Sequence, residues 1–190
     1  MAPESFKAVS VTEAGEPDGF IPPLLFAGEI APDGTTRLLV SAGPDRLQEV
    51  HRAIVSGLES PLGILWVQLV DRVSGEEHQA DPRRWLSMEI DKERLVEALT
   101  DCAGLLYRDG RGQLWIRDAY GQQVVLDELG LVYAYPDDPS VRSVLAELGI
   151  PEESSPTMAD RDYVRVEYRA DADEEEKTLL TTLGMQHYAG

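Results

Sequence analysis

The sequence predicts an α+β fold built on a mainly antiparallel sheet, and three observations predict it. Between Leu105 and Tyr135 four short β-rich runs are separated by turn signals, the pattern of a four-stranded meander. Four segments, about 45–57, 92–103, 139–148 and 173–183, carry apolar residues at helical spacing with helix start or stop residues at their ends. A strand–helix–strand pattern also recurs. Leu38-Leu39-Val40, Arg46-Leu47 and Leu65-Trp66-Val67 are echoed 48 or 49 residues later by Leu86 to Met88, Arg94-Leu95 and Leu114-Trp115-Ile116. Two βαβ-like units of this kind fit a sheet with its helices on one face.

In chain order, residues 1–19 hold Glu4, Glu13, Glu16 and Asp18 with little periodicity and are expected as a flexible acidic arm. Phe6, Val9 and Val11 offer the alternative of a short edge strand within it. Residues 20–190 then form a single α+β domain. Pro22 and Pro23 bar Phe20 to Phe26 from a strand or helix interior, so this stretch lies extended on the core. Asp33-Gly34 turns the chain into a strand at Thr36 to Ser41.

Pro44 and Asp45 open the first helix, Leu47, Val50, Ile54 and Leu58 form its stripe, and Gly57 stops it. Gly63 to Val73 is apolar on both alternating faces, which marks a central strand. A polar loop with Glu76, Glu77, His78 and Asp81 leads to a strand at Trp85 to Ile90. Asp91 caps the second helix, in which Leu95, Leu99 and Cys102 share a face, and Gly104 ends it. Asp109-Gly110, Tyr120-Gly121 and the corner Glu128 to Gly130 are the turns of the meander.

Asp138 and Pro139 start the third helix, and Gly149 and Pro151 finish it. Residues 152–162 read as a loose linker to a C-terminal strand–helix unit. In that unit Tyr163 to Arg169 alternates like a strand with one wet face, and Leu179, Leu180 and Leu183 anchor the last helix.

Charge limits the function classes. Seventeen Lys and Arg face 35 Asp and Glu, a net charge of −18 and a pI near 4.4. Such a field opposes nucleic acid and anionic membranes and favours basic protein partners. One cysteine excludes an intrachain disulfide, and the absence of a basic, apolar leader or a bilayer-length apolar run leads to the expectation of a cytoplasmic protein.

Catalytic, cofactor and metal residues are expected to be absent. His51, His78 and His187 have none of the short spacings of a metal site, and Cys102 on an apolar helix face reads as an inert thiol. Asp109-Gly110-Arg111-Gly112 joins two strands and opens no helix, so it is a hairpin turn and not a phosphate loop. Trp66, Trp85 and Trp115 fall on strands as packing residues.

Acidic clusters remain. From Asp127 onward fifteen acids face five bases, about −10 of the −18. The acids expected to face a partner are Asp127, Glu128, Asp137, Asp138, Asp160, Asp162, Asp171, Asp173, Glu174, Glu175 and Glu176. Several also sit at helix starts, where the dipole explains them locally.

The resulting expectation is a non-enzymatic acidic binding protein, in its most concrete form a bacterial immunity or inhibitor protein that neutralises a basic toxin. A second reading is a cytoplasmic chaperone or adaptor that accepts a partner strand beside Tyr163 to Arg169, and homodimerisation goes with it. A third is an enzyme or small-molecule sensor without a motif, marked by a pocket lined by Arg83, Arg84, Tyr107, Arg117 or Tyr133.

Overall fold

The computed structural model describes residues 6–71, 82–167 and 169–188. Glu76, Glu77, His78 and Asp81 of the expected polar loop, and Tyr168 of the expected C-terminal strand, lie outside the described residues. The elements are β1 (Ala8–Ser10), β2 (Leu25–Ile30), β3 (Thr36–Ser41), α1 (Leu47–Ser56), β4 (Leu62–Gln68), β5 (Arg83–Ile90), α2 (Lys92–Asp101), α3 (Ala103–Arg108), β6 (Gly112–Arg117), β7 (Gln123–Leu126), β8 (Leu131–Tyr135), α4 (Pro139–Glu147), β9 (Tyr163–Arg165), α5 (Ala170–Thr182) and β10 (Gln186–His187). The fold is α+β, with a main sheet of eight strands ordered β10-β5-β4-β6-β7-β8-β3-β2 and every neighbouring pair antiparallel. β4, apolar on both faces, is central as its composition predicts.

Each step across the sheet reverses direction, so β3 and β4 run the same way, as do β5 and β6. The two echoed segments are therefore both crossovers between parallel, non-adjacent strands. The first runs through α1 and the second through α2 and α3.

Side-chain alternation divides the sheet into two faces. Leu38, Ile64, Trp66, Leu114, Ile116 and Val124 point into one buried core with Leu47, Ile54, Leu95, Leu99, Leu145 and Leu179 from the helices. Trp66 also donates from Nε1 to Glu176 of α5 at 2.9 Å, and Ser87 donates to the Leu183 carbonyl, which fixes α5 over this face. On the opposite face, register places Leu86, Leu65, Trp115, Val125, Tyr133, Leu39 and Ala27 in one row across seven strands. The segment 153–160 covers the β2–β3 end of that row, with Met158 buried beneath it.

The meander has three strands, not four. Its first expected run, from Leu105, is helical. Leu105, Leu106 and Tyr107 are all buried, and a short apolar run of this kind satisfies either periodicity. Gly104 does not end the second helix region; it lies inside α3. The Glu175 carboxylate occupies the space a side chain there would need, and accepts from the Leu105 N–H at 2.6 Å.

The N-terminal segment from Phe6 is not a loose arm. β1 pairs antiparallel with β9, Val166 N–H donates to the Lys7 carbonyl, and Phe6 packs on Gly130, whose φ of +83° and missing side chain make room for the ring. Strand β2 follows the Pro22-Pro23 pair, and α5 starts three residues before the expected 173. The expected linker holds a 3-10 turn (Met158–Asp160), closed by a capping box between Thr157 and Asp160.

Candidate functional site

Most of the acids singled out from sequence are used inside the fold. Asp127 is buried and accepts the N–H groups of Leu129 and Leu131 at 2.9 and 2.8 Å, closing the β7–β8 turn. Burial, followed by the neighbouring Glu128, pushes its carboxyl up to about 7. Glu128 accepts from Gln113. Asp137 takes both bonds of a fork from Arg142, which holds its carboxyl below the usual range, and Asp138 caps α4 through the Ser140 N–H at 2.7 Å. Asp160 belongs to the capping box, and Asp171 pairs with Arg169.

Asp173 and Glu176 surround Arg111. This guanidinium is wholly buried and donates to Asp109 at 2.9 Å, to Asp173 at 2.6 Å and to the Arg169 carbonyl at 3.0 Å, with Glu176 at 3.6 Å. Among these, Asp127 and Glu176 present no charge to a partner because both are buried. Glu174, paired with Lys177, and Asp162 are exposed. The eleven positions thus fall into separate groups: the β7–β8 turn, the start of α4, the 157–162 segment, and the first turns of α5.

A different acidic surface lies on α2. Glu93, Glu97 and Asp101 are spaced four residues apart, all exposed, and none has an ion pair among the described residues. The bases next to them are engaged elsewhere: Lys92 donates to the Ser56 carbonyl at 2.9 Å and Arg94 to the Thr182 carbonyl. α5 packs beside α2. The periodic spacing of 93, 97 and 101 was the available signal, masked by the larger charge excess further along the chain.

Several other titratable groups are inside. Lys7 is fully buried, donates to the Leu106 carbonyl at 2.9 Å and lies 3.4 Å from that of Gly112; burial lowers its amine to about 8. His51 is fully buried, with Nδ1 3.0 Å from the Tyr107 hydroxyl and Nε2 unpartnered; burial holds it down at about 3. Cys102 is buried and its thiol pushed up to about 12. Among the described residues no group of three or more His, Cys, Asp or Glu side chains is placed to hold a metal ion, and no helix is long and apolar enough to cross a membrane.

The chain matches no family model, no curated protein and no solved structure. Four of the residues that would mark a small-molecule site lie in separate surroundings among the described residues. Tyr107 is buried beside His51, Arg83 pairs with Asp71, Tyr133 lies under Arg37, and Arg117 borders a groove on the helix-free sheet face.

Proposed function

We propose that this chain is a non-enzymatic binding protein for a basic protein partner, and that its contact surface centres on α2. One observation carries the reading. Glu93, Glu97 and Asp101 stand at i, i+4 and i+8 with no ion pair among the described residues, Arg94 being held by the Thr182 carbonyl, and like-charged pairs at this spacing weaken a helix by about 0.2–0.5 kcal/mol each. Caps, turns and ion pairs engage most of the acids singled out in the C-terminal third; Glu97 and Asp101 have no such partner among the described residues, and only Glu93 of the three lies in the first turn of its helix, where the dipole favours an acid. A cationic partner would relieve the repulsion and gain from the field of a chain with net charge −18.

In its most concrete form the protein is a bacterial immunity or inhibitor protein acting in the cytoplasm on a basic toxin, with electrostatic steering speeding capture. The test compares the wild type with the triple variant Glu93→Gln, Glu97→Gln, Asp101→Asn as baits in the source cell's extract. The wild type is expected to retain a strongly basic protein that elutes as salt rises, and the variant to lose it while melting at the same or a higher temperature. Equal retention by the variant, or binding indifferent to salt, overturns the reading.

A further inference from the structure

A concavity of about 540 Å³ among the described residues is a groove on the helix-free face between β5, β4 and β6. Its floor is a gap in the side-chain pattern. At the register position where β4 places Gly63, β5 carries two residues, Met88 and Glu89, because the pairing slips between Leu62–Ile90 and Ile64–Ser87. This is a β-bulge, a device that re-aims side chains and recurs beside binding sites. Glu89 takes φ +60° in it, a left-handed conformation costly for a residue with a side chain. The bulge swings Met88 over the groove, 63% exposed, with its sulfur 3.2 Å from where a Gly63 side chain would begin.

The walls are preset. Leu65 and Leu86 face each other across β4 and β5, and Trp115 stands opposite Leu65 on β6. Trp115 donates from Nε1 to Gln113 at 3.0 Å, and Gln113 donates to Glu128 at 2.6 Å, so a relay of two hydrogen bonds fixes the indole. At the rim, register pairs Arg117 with Gly63. Arg117 is exposed and has no ion pair among the described residues, although the chain holds 35 acids to 17 bases. Most other arginines on this fold have been captured by a carboxylate or a carbonyl. Two carboxylates also line the groove: Asp118, which is buried and accepts the N–H groups of Tyr120 and Gln122, and Glu89 on the bulge. Among the described residues the unpaired cation at the rim is Arg117, so an apolar trough ending at this guanidinium suits an apolar body with an anionic head seated on the Arg117 side.

We infer that this groove binds a small amphipathic anion, its apolar part lying on Leu65, Leu86, Met88 and Trp115 and its acid group held by Arg117. This site is on the sheet face away from the helices, is independent of the basic-partner surface on α2, and the two stand or fall separately.

The experiment is calorimetric titration of the full chain with dodecanoate and with dodecanol, which differ only in the head group. Dodecanoate is expected to bind about tenfold more tightly than dodecanol, the worth of one charge-assisted hydrogen bond. Arg117→Gln should remove that advantage and leave dodecanol binding unchanged. Trp115→Leu, which keeps an apolar side chain on the strand, should weaken both. Thermal melts of each variant verify folding, and Gly63→Ala, which adds a methyl to the floor against the mobile end of Met88, gives a second variant that should also weaken both ligands. Equal affinity for the two ligands, no binding of either below micelle formation, or an advantage that survives Arg117→Gln overturns the proposal.

Discussion

Buried ionisable side chains give this protein a defined response to acid. In the folded chain His51 takes up a proton only near pH 3, whereas the same imidazole in the unfolded chain titrates near its ordinary value of 6.5. Between those values the unfolded state binds the additional proton, so stability falls as pH drops from about 6.5 to about 3. The full span is worth up to about 5 kcal/mol by linkage. Asp127 acts in the opposite sense: its raised carboxyl makes the folded state the better proton binder below about 7, and its contribution is lost as pH rises from about 4 to about 7. Replacing His51 with Gln, which keeps a polar partner for Tyr107, is therefore expected to shrink the acid sensitivity, read as the difference in urea midpoint between wild type and variant across that range. A difference independent of pH would contradict it. Arg111 provides a second residue-scale expectation. Asp109→Asn removes the carboxylate that takes two of its bonds and leaves a buried cation short of charge, so unfolding free energy should drop by about 3–5 kcal/mol. Arg111→Met, which removes the charge itself, should recover part of that loss in the Asp109→Asn background.

Among the elements, α4 is the one whose start was fully written in local sequence. Asp138 caps it and Pro139 follows at the first helical position, so Asp138→Ala should lower stability by about 1 kcal/mol in chemical denaturation. The central position of β4 and the strands β6, β7 and β8 were equally legible, because two-sided apolarity and Gly-containing turns are local properties. α3 was not. Leu105 to Arg108 coil against a partner seventy residues away, Glu175, which meets the Leu105 N–H and fills the space beside Gly104. The same distance problem hid the acids' roles: Asp173 and Glu176 look like a solvated run until Arg111 and Trp66 are brought beneath them. Gly112 is a further case. A methyl there would begin 2.5 Å from the Trp66 ring, so Gly112→Ala should destabilise the β4–β6 pairing more than Gly34→Ala would loosen its open turn, despite the positive φ at Gly34.

For the molecule as a whole, a net charge of −18 on 190 residues means mutual repulsion among carboxylates that the ion pairs only partly offset. Salt shortens the range of that repulsion from about 30 Å at 0.01 M to about 8 Å at 0.15 M. The melting temperature is expected to rise over this range, even though salt also weakens the exposed pairs such as Arg46–Glu49 and Lys177–Glu174. A falling melting temperature would mean that the ion pairs outweigh the repulsion.

The pairing of β1 with β9 has a consequence for the order in which the chain is made. Lys7 finds its carbonyls only after Leu106 and Gly112 are in place, and Val166 must be present to bond its backbone. Residues 7–10 are therefore seated only once residues as far along as 166 are present, and β10, which completes the far edge of the main sheet against β5, comes later still. A chain that ends before residue 163 lacks the strand partner of β1 and the Val166 N–H that meets the Lys7 carbonyl. A nascent chain stalled before residue 163 should be cut by protease near its start, and one released past residue 188 should be protected there.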